Sequence, residues 1–232
     1  MERPLGPPVD FTDARFPSGE LLRGRLVTLR RLDPVTDAEP LYAASHAPDG
    51  DPAIWTYLYE EPSANLDAYR ELVTRLADAP TTVFYAVIPH ATGVAAGQIS
   101  YLEIVPEHGT IEIGNIWFAP SLQRTAAATE AIYLVARHAF DDLGYRRLEW
   151  KCNALNAPSR AAALRFGFEF EGIFHQHRVI KGRNRDTAWF AIPDTRWPLC
   201  KAAFEAWLEP SNFDADGRQR QSLAQIREAL SS

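Results

Sequence analysis

Between residues 110 and 144 the hydrophobic pattern changes period once. Residues 111–118 are rich in β-branched and aromatic side chains and stop at Ala119-Pro120, where proline cannot donate to a sheet ladder, so they predict a buried strand. From Ala128 the apolar positions Ile132, Val135, Ala136, Ala139, Phe140 and Leu143 follow the i, i+3, i+4, i+7 spacing of a helix packed by one face. Gly144 closes that helix. Between strand and helix lies Gln123-Arg124-Thr125-Ala126-Ala127-Ala128, mostly small side chains that leave backbone N–H groups uncovered at the positive end of a helix dipole. That arrangement invites a phosphate.

The rest of the chain falls into elements around this unit. Residues 1–24 hold four prolines and no periodicity, and read as an extended arm. Alternation over residues 25–31 predicts a first strand, ended by Asp33-Pro34. A helix follows over about 36–47, then a Pro/Asp/Gly break over 47–52 and a dense aromatic patch with Trp55, Tyr57 and Tyr59. Leu66, Tyr69, Leu72, Val73 and Leu76 share one face of a second helix over about 65–77. Strands are expected at 82–88, 96–104, 147–152, 168–170, 173–180 and 186–192, the last two joined by the turn Lys181-Gly182-Arg183-Asn184. A helix over 197–208 ends at Glu209-Pro210. The remaining residues, 209–232, are a polar tail with a short amphipathic helix through Leu223, Ile226 and Leu230. No internal repeat or low-complexity run appears.

Composition narrows the class. The 232 residues are 46% hydrophobic, enough for one domain with a sizeable core. A net charge of −6 gives no electrostatic pull toward nucleic acid or anionic lipid, and mildly favours a cationic small partner. No apolar run is long enough to span a bilayer and no export leader is visible, so the expected location is cytoplasmic. Cys152 and Cys200 are too few for a disulfide framework and are expected as buried thiols.

The loop at Gln123–Ala128 resembles the pyrophosphate loop of the GCN5-related N-acetyltransferases (GNAT), Q/R-x-x-G-x-G/A between the fourth strand and third helix. Gln123 fits the first slot and Ala128 the last. Ala126 stands where the middle glycine is usual, so the loop must stay in helical φ/ψ or carry strain. Asn156-Ala157-Pro158-Ser159, closed by Arg165-Phe166-Gly167-Phe168, is similar to the family's N-x-x-S…GF element. Glu171-Gly172 and the stretch KGRNRDTA from Lys181 look like the branch of ribosomal-protein N-terminal acetyltransferases, RimJ/RimL-like. The likeness runs over residues 25–197, inside an expected domain of 25–208.

The resemblance implies an α/β fold of the α+β type, with a mixed, mostly antiparallel sheet of about seven strands splayed at its central strand and helices on both faces. It also implies acetyl transfer from acetyl-CoA to a primary amine by direct attack, without a covalent enzyme intermediate or a metal, in a monomer or homodimer. Ile116, Trp117 and Phe118, the run Gln123, Arg124, Thr125, Ala126, Ala127, Ala128 and Thr129, together with Asn156 and Arg165, would then bind the cofactor. Ser159 matches the serine that stabilises the leaving thiolate; on local grounds it equally caps a short helix, as Asn156 does. Glu112, an acid in an apolar strand on the face expected for Ile116 and Phe118, is either a general base or half of an ion pair with an arginine of a neighbouring strand.

Toward the acceptor, Glu103 and Asp186 are candidate amine ligands, or parts of solvated turns. His175 and His177 share the spacing of two metal ligands but lack an evident third. Trp55, Tyr57 and Tyr59 wall a pocket or belong to the core. Two other classes stay open: a coenzyme A-binding module without turnover, and an unrelated nucleotide-binding domain, although neither a P-loop lysine pattern nor G-x-G-x-x-G is present.

Overall fold

The computed structural model describes residues 3–46, 48 and 50–231. Its first half contains strand β1 (Leu22–Arg23), β2 (Val27–Arg31), helix α1 (Pro34–Ser45), a 3-10 turn (Pro52–Thr56), α2 (Leu66–Ala77), β3 (Val83–Pro89), β4 (Gly97–Val105) and β5 (Thr110–Phe118). The second half contains α3 (Ala126–Arg137), β6 (Arg147–Asn153), α4 (Ala157–Phe166), β7 (Glu169–Ile180), β8 (Arg183–Pro193), α5 (Trp197–Leu208) and α6 (Leu223–Leu230). All eight strands form one sheet in the order β1-β2-β3-β4-β5-β6-β8-β7. The eighth strand is the two-residue β1, which pairs with β2 inside the segment expected as an arm.

Caps decide the helix ends. The side chains of Asp33, Asn65, Thr125, Asn156 and Ser222 each accept a backbone N–H at the start of a helix. The first helix begins two residues earlier than its apolar pattern, because Asp33 caps it and Pro34 suits a first turn; Ala47, its expected end, lies outside the described residues. The stripe through Leu143 departs from α geometry after Arg137, where His138–Asp142 form a π-turn.

Two apolar cores flank the sheet. Ile111 and Ile113 of β5 and Leu148, Trp150 and Cys152 of β6 pack with α3, α4 and α5. Trp117 of β5 packs instead with Leu41, Trp55, Tyr69, Leu72 and Val73 under α1 and α2. A β-bulge explains the change of side: Gln98 pairs with Trp117 and Ser100 with Gly114, so Asn115 and Ile116 together oppose one residue of β4. Asn115 takes φ +49°, and its Nδ2 donates to Ser100 Oγ at 3.3 Å. The bulge reverses the expected face sharing. Ile116 and Phe118 pack with the α3 core, whereas Glu112 lies on the opposite face with Trp117.

Only β5 and β6 run parallel, and they pair at Thr110–Arg147, Ile111–Leu148 and Glu112–Glu149. Beyond Glu112 the strands part. From Ile113 to Phe118, β5 is paired on its β4 edge alone, and β6 continues with β8. The segments expected as strands 168–170 and 173–180 are one strand, β7, with irregular pairing between Phe170 and Gly172 and between Phe174 and Arg178.

At the chain ends, the carboxylate of Glu130 on α3 accepts the N–H groups of Arg25, Leu26 and Val27 at 2.9, 2.6 and 3.0 Å. A side chain at Gly24 would displace that carboxylate, since a Cβ would stand 2.4 Å from Glu130 Oε2. Helix α6 packs on α5 and reaches α4 through Arg227, which donates to the carbonyls of Arg165 and Leu164. Among the described residues no helix is long and apolar enough to cross a membrane.

Candidate active site at the opening between β5 and β6

The loop into α3 resolves the question raised by Ala126. Positive φ falls on Arg124 (+62°), while Ala126 is the first residue of the helix and needs no glycine. Gln123 Nε2 donates to the Phe118 carbonyl at 2.9 Å, tying the loop to the end of β5. Thr125 Oγ1 accepts from Ala128 N at 3.1 Å, which uses one of the free donors of the helix start. The N–H groups of Arg124, Ala126 and Ala127 have no partner among the described residues. Three open amides at the positive end of a twelve-residue helix fit a diphosphate.

Helix α4 lies beside this start. Arg165 Nη1 donates to Thr129 Oγ1 at 3.2 Å and its guanidinium stands 5.0 Å from the Trp207 ring. Burial, with Arg227 nearby, lowers its pKa. At the other end of α4, Asn156 Oδ1 accepts from Ser159 N at 3.1 Å, so Asn156 is the cap; its amide NH₂ has no partner among the described residues. Trp150 Nε1 donates to Ser159 Oγ at 3.0 Å. Ser159 therefore accepts through its oxygen and retains its own proton to donate. Cys152 is beside it, a buried free thiol whose pKa burial raises and the Ser159 hydroxyl opposes; Cys200 is also buried and free.

Across the sheet, Glu112 is 5% exposed. Its partner is Lys151, whose Nζ stands 3.0 Å from Glu112 Oε2 and 2.8 Å from Glu149 Oε2. The expected ion-pair partner was an arginine; the cation is a lysine of β6. Glu112 and Glu149 face each other in the parallel register, a repulsive placement that the shared ammonium offsets. Burial pushes the Glu112 carboxyl up to about 7, against the downward pull of Lys151 and with a further rise from Glu149. Burial opposes the Lys151 charge, but Glu112 and Glu149 together hold its pKa above the ordinary lysine value. Lys151 Nζ also lies 4.2 Å from the Trp189 ring centroid. Lys151 and Trp150 were not singled out in the sequence, where alternation only sorts Trp150 to the apolar face of β6 and Lys151, with Arg147 and Glu149, to the polar one. The available signal was the acid in β5: a buried carboxylate opposite Glu149 requires a shared cation.

The remaining acceptor-side residues are mostly committed to structure. Asp186 accepts from Gln176 N at 2.8 Å, Asn184 Nδ2 at 2.9 Å and pairs with His175 Nδ1 at 3.0 Å. The Gln176 amide, then Asn184 and His175, lower its pKa to about 2. It holds the β7 irregularity, where Gln176 takes φ +50°. His177 Nδ1 is 3.0 Å from Thr187 Oγ1, so the two histidines have separate partners. Glu103, at φ +47°, is exposed and 3.6 Å from Arg178 Nη2. Trp55 is core, its Nε1 donating to Ser45 O at 2.9 Å; Tyr57 OH donates to Leu155 O at 3.2 Å, joining the α1–α2 connection to the end of β6. Tyr59 is partly exposed.

The open amide loop and the Ser159 hydroxyl lie on the α3 and α4 side of the sheet, and the Glu112 carboxyl lies where β5 and β6 part. The sequence profile described as the acetyltransferase (GNAT) domain matches residues 26–169. The chain belongs to that family, which uses acetyl-CoA. A GCN5-related N-acetyltransferase from Brucella melitensis superposes with a TM-score of 0.92 at 43% identity, over 94% of this chain and 99% of that one. The N-acetyltransferase p20 of Bacillus licheniformis is 24% identical over 75% of this chain and 96% of its own length. The ribosomal-protein-serine acetyltransferase of Escherichia coli (strain K12) is 32% identical over 41% of this chain and 52% of its own length.

Proposed function

We propose that this acetyltransferase moves an acetyl group from acetyl-CoA to a primary amine by direct attack of the amine on the thioester, in the cytoplasm and without a covalent enzyme intermediate. The observation that carries the reading is the opening past Glu112, which joins the α3 and α4 face to the face holding Glu112 and Lys151. Acetyl-CoA supplies the activated acetyl group. The amides of Arg124, Ala126 and Ala127 bind its diphosphate, with Gln123, Thr125, Ala128, Thr129 and Arg165 shaping that seat. Ile116 and Phe118 line the pantetheine arm, Trp117 contributes backbone only, and the Asn156 amide bonds the arm. Backbone N–H groups on the unpaired edge of β5 polarise the thioester carbonyl.

An amine attacks only when neutral. Glu112, with its pKa near 7, accepts the ammonium proton directly or through water. Ser159, held by Trp150, donates to the departing sulfur. The test is thiol release by the purified protein with acetyl-CoA against peptide N-termini, polyamines, amino acids and amine-bearing antibiotics. Release with one class is the expected result. Silence across the panel, with coenzyme A still raising the melting temperature, would instead indicate a binding module without turnover.

A further inference from the structure

A cleft of about 470 Å³ opens between the 3-10 turn after α1, the end of β6 and the β7–β8 hairpin. Its wall carries three cations, Lys181, Arg183 and Arg185, and one carboxylate, Glu61. Lys181 is already used: its Nζ donates to Trp55 O at 2.7 Å and stands 3.4 Å from Glu61. Arg183 is exposed and has no partner among the described residues.

Arg185 is different. It is 7% exposed, yet its guanidinium makes no hydrogen bond or ion pair with any described residue, and Nε is buried without a partner. Its Cζ stands 5.0 Å from the centroid of the Tyr59 ring. Burying a guanidinium unpaired is costly, and folded proteins pair such groups with a carboxylate or phosphate. A planar fork of donors at the wall of a cleft matches an incoming oxyanion.

We infer that Arg185 is the specificity residue of the acceptor site, and that the amine substrate carries an oxyanion group, carboxylate or phosphate, which Arg185 receives with Arg183 at the rim. The inference rests on the acetyl-transfer reading and deepens it. It reverses the expectation drawn from the net charge of −6, because the cleft itself is cationic. The spacing also follows. Arg185 and Trp189 face the same side of β8, four residues or about 13 Å apart at ~3.3 Å per residue. Trp189 lies under Lys151 beside Glu112. The acceptor's amine and its oxyanion are therefore held on the order of 10 Å apart.

The test uses ω-amino carboxylates of increasing chain length, their carboxamides and their phosphate-ester counterparts, with acetyl-CoA and the full chain. The expected result is kcat/KM at least about 10-fold higher for longer carboxylates or phosphates than for the matched carboxamides. The two anionic series decide which oxyanion is preferred. Arg185→Gln should erase that difference by lowering the anionic rates at least about 10-fold more than the carboxamide rates, and Arg185→Lys should restore part of it. Coenzyme A-induced thermal shifts establish that both variants are folded. Equal kcat/KM for anionic and neutral amines, or equal loss of both in Arg185→Gln, overturns the inference while acetyl transfer stands. If no amine is acetylated, calorimetric binding of the same compounds decides: anion-selective binding lost in Arg185→Gln supports the subsite and removes the catalytic reading, and no anion-selective binding overturns the subsite.

Discussion

The two faces that meet at the β5–β6 opening are built by different means. On the α3 and α4 face the groups come from contiguous sequence: a loop, two caps and a short helix, with Thr125 and Asn156 each bonding a donor three residues on. On the other face they come from strands brought together at long range. Glu112 meets Lys151 across a parallel pair, Lys181 meets Trp55 and Glu61, and Asp186 holds a bulge in the neighbouring strand. The first face is therefore fixed by contacts a few residues apart, and the second by the register of distant strands.

The most disruptive break falls on the assembled side. Lys151→Met leaves Glu112 and Glu149 facing each other without their cation, and should cost about 3 kcal/mol or more in urea denaturation. Adding Glu112→Gln should recover part of the loss. A cost below about 1 kcal/mol would mean that the pair behaves as an ordinary surface bridge.

Glu112→Gln alone tests the base. It should lower kcat by about 100-fold and remove the acidic limb of the pH profile near pH 7. Its stability effect has the opposite sign to that of an ordinary paired carboxylate. A carboxyl whose folded pKa is raised contributes stability below the ordinary carboxylate range and loses it as pH climbs through about 7, so the glutamine variant should lose less than the parent over that span. An unaltered acidic limb would return Glu112 to a structural role.

On the local side the expected effects are smaller. Ser159→Ala should lower kcat by about 10-fold with acetyl-CoA affinity retained, and unchanged turnover removes Ser159 from the mechanism. Ala126→Gly, which restores the usual family residue, should give no gain in coenzyme A affinity and should destabilise by up to about 1 kcal/mol, since the left-handed position is Arg124. A clear gain in affinity would show that the loop wants its freedom two residues later.

The same contrast governs what the sequence discloses. The strand–loop–helix around Thr125 and the Asn156 cap are legible because each contact spans three residues. The face of Glu112 relative to Ile116 is not, because period-two alternation assumes an unbroken ladder and the bulge at Asn115 inserts one residue. Nor can alternation reveal that the Lys151 side chain is mostly enclosed. It faces away from the α3 core, but Glu112, Glu149 and Trp189 surround its ammonium on that side. The positive φ at Arg124 is illegible for a related reason: the motif's glycine slot falls at Ala126, while the chain places its left-handed residue two positions earlier.

The grip of Glu130 on Arg25, Leu26 and Val27 makes those three amides a natural gauge of what happens at the start of α3. Glu130 sits one turn beyond Ala126, so anything that quiets the helix start also quiets its carboxylate. In hydrogen–deuterium exchange, the amides of Arg25, Leu26 and Val27 should therefore gain protection when coenzyme A is added.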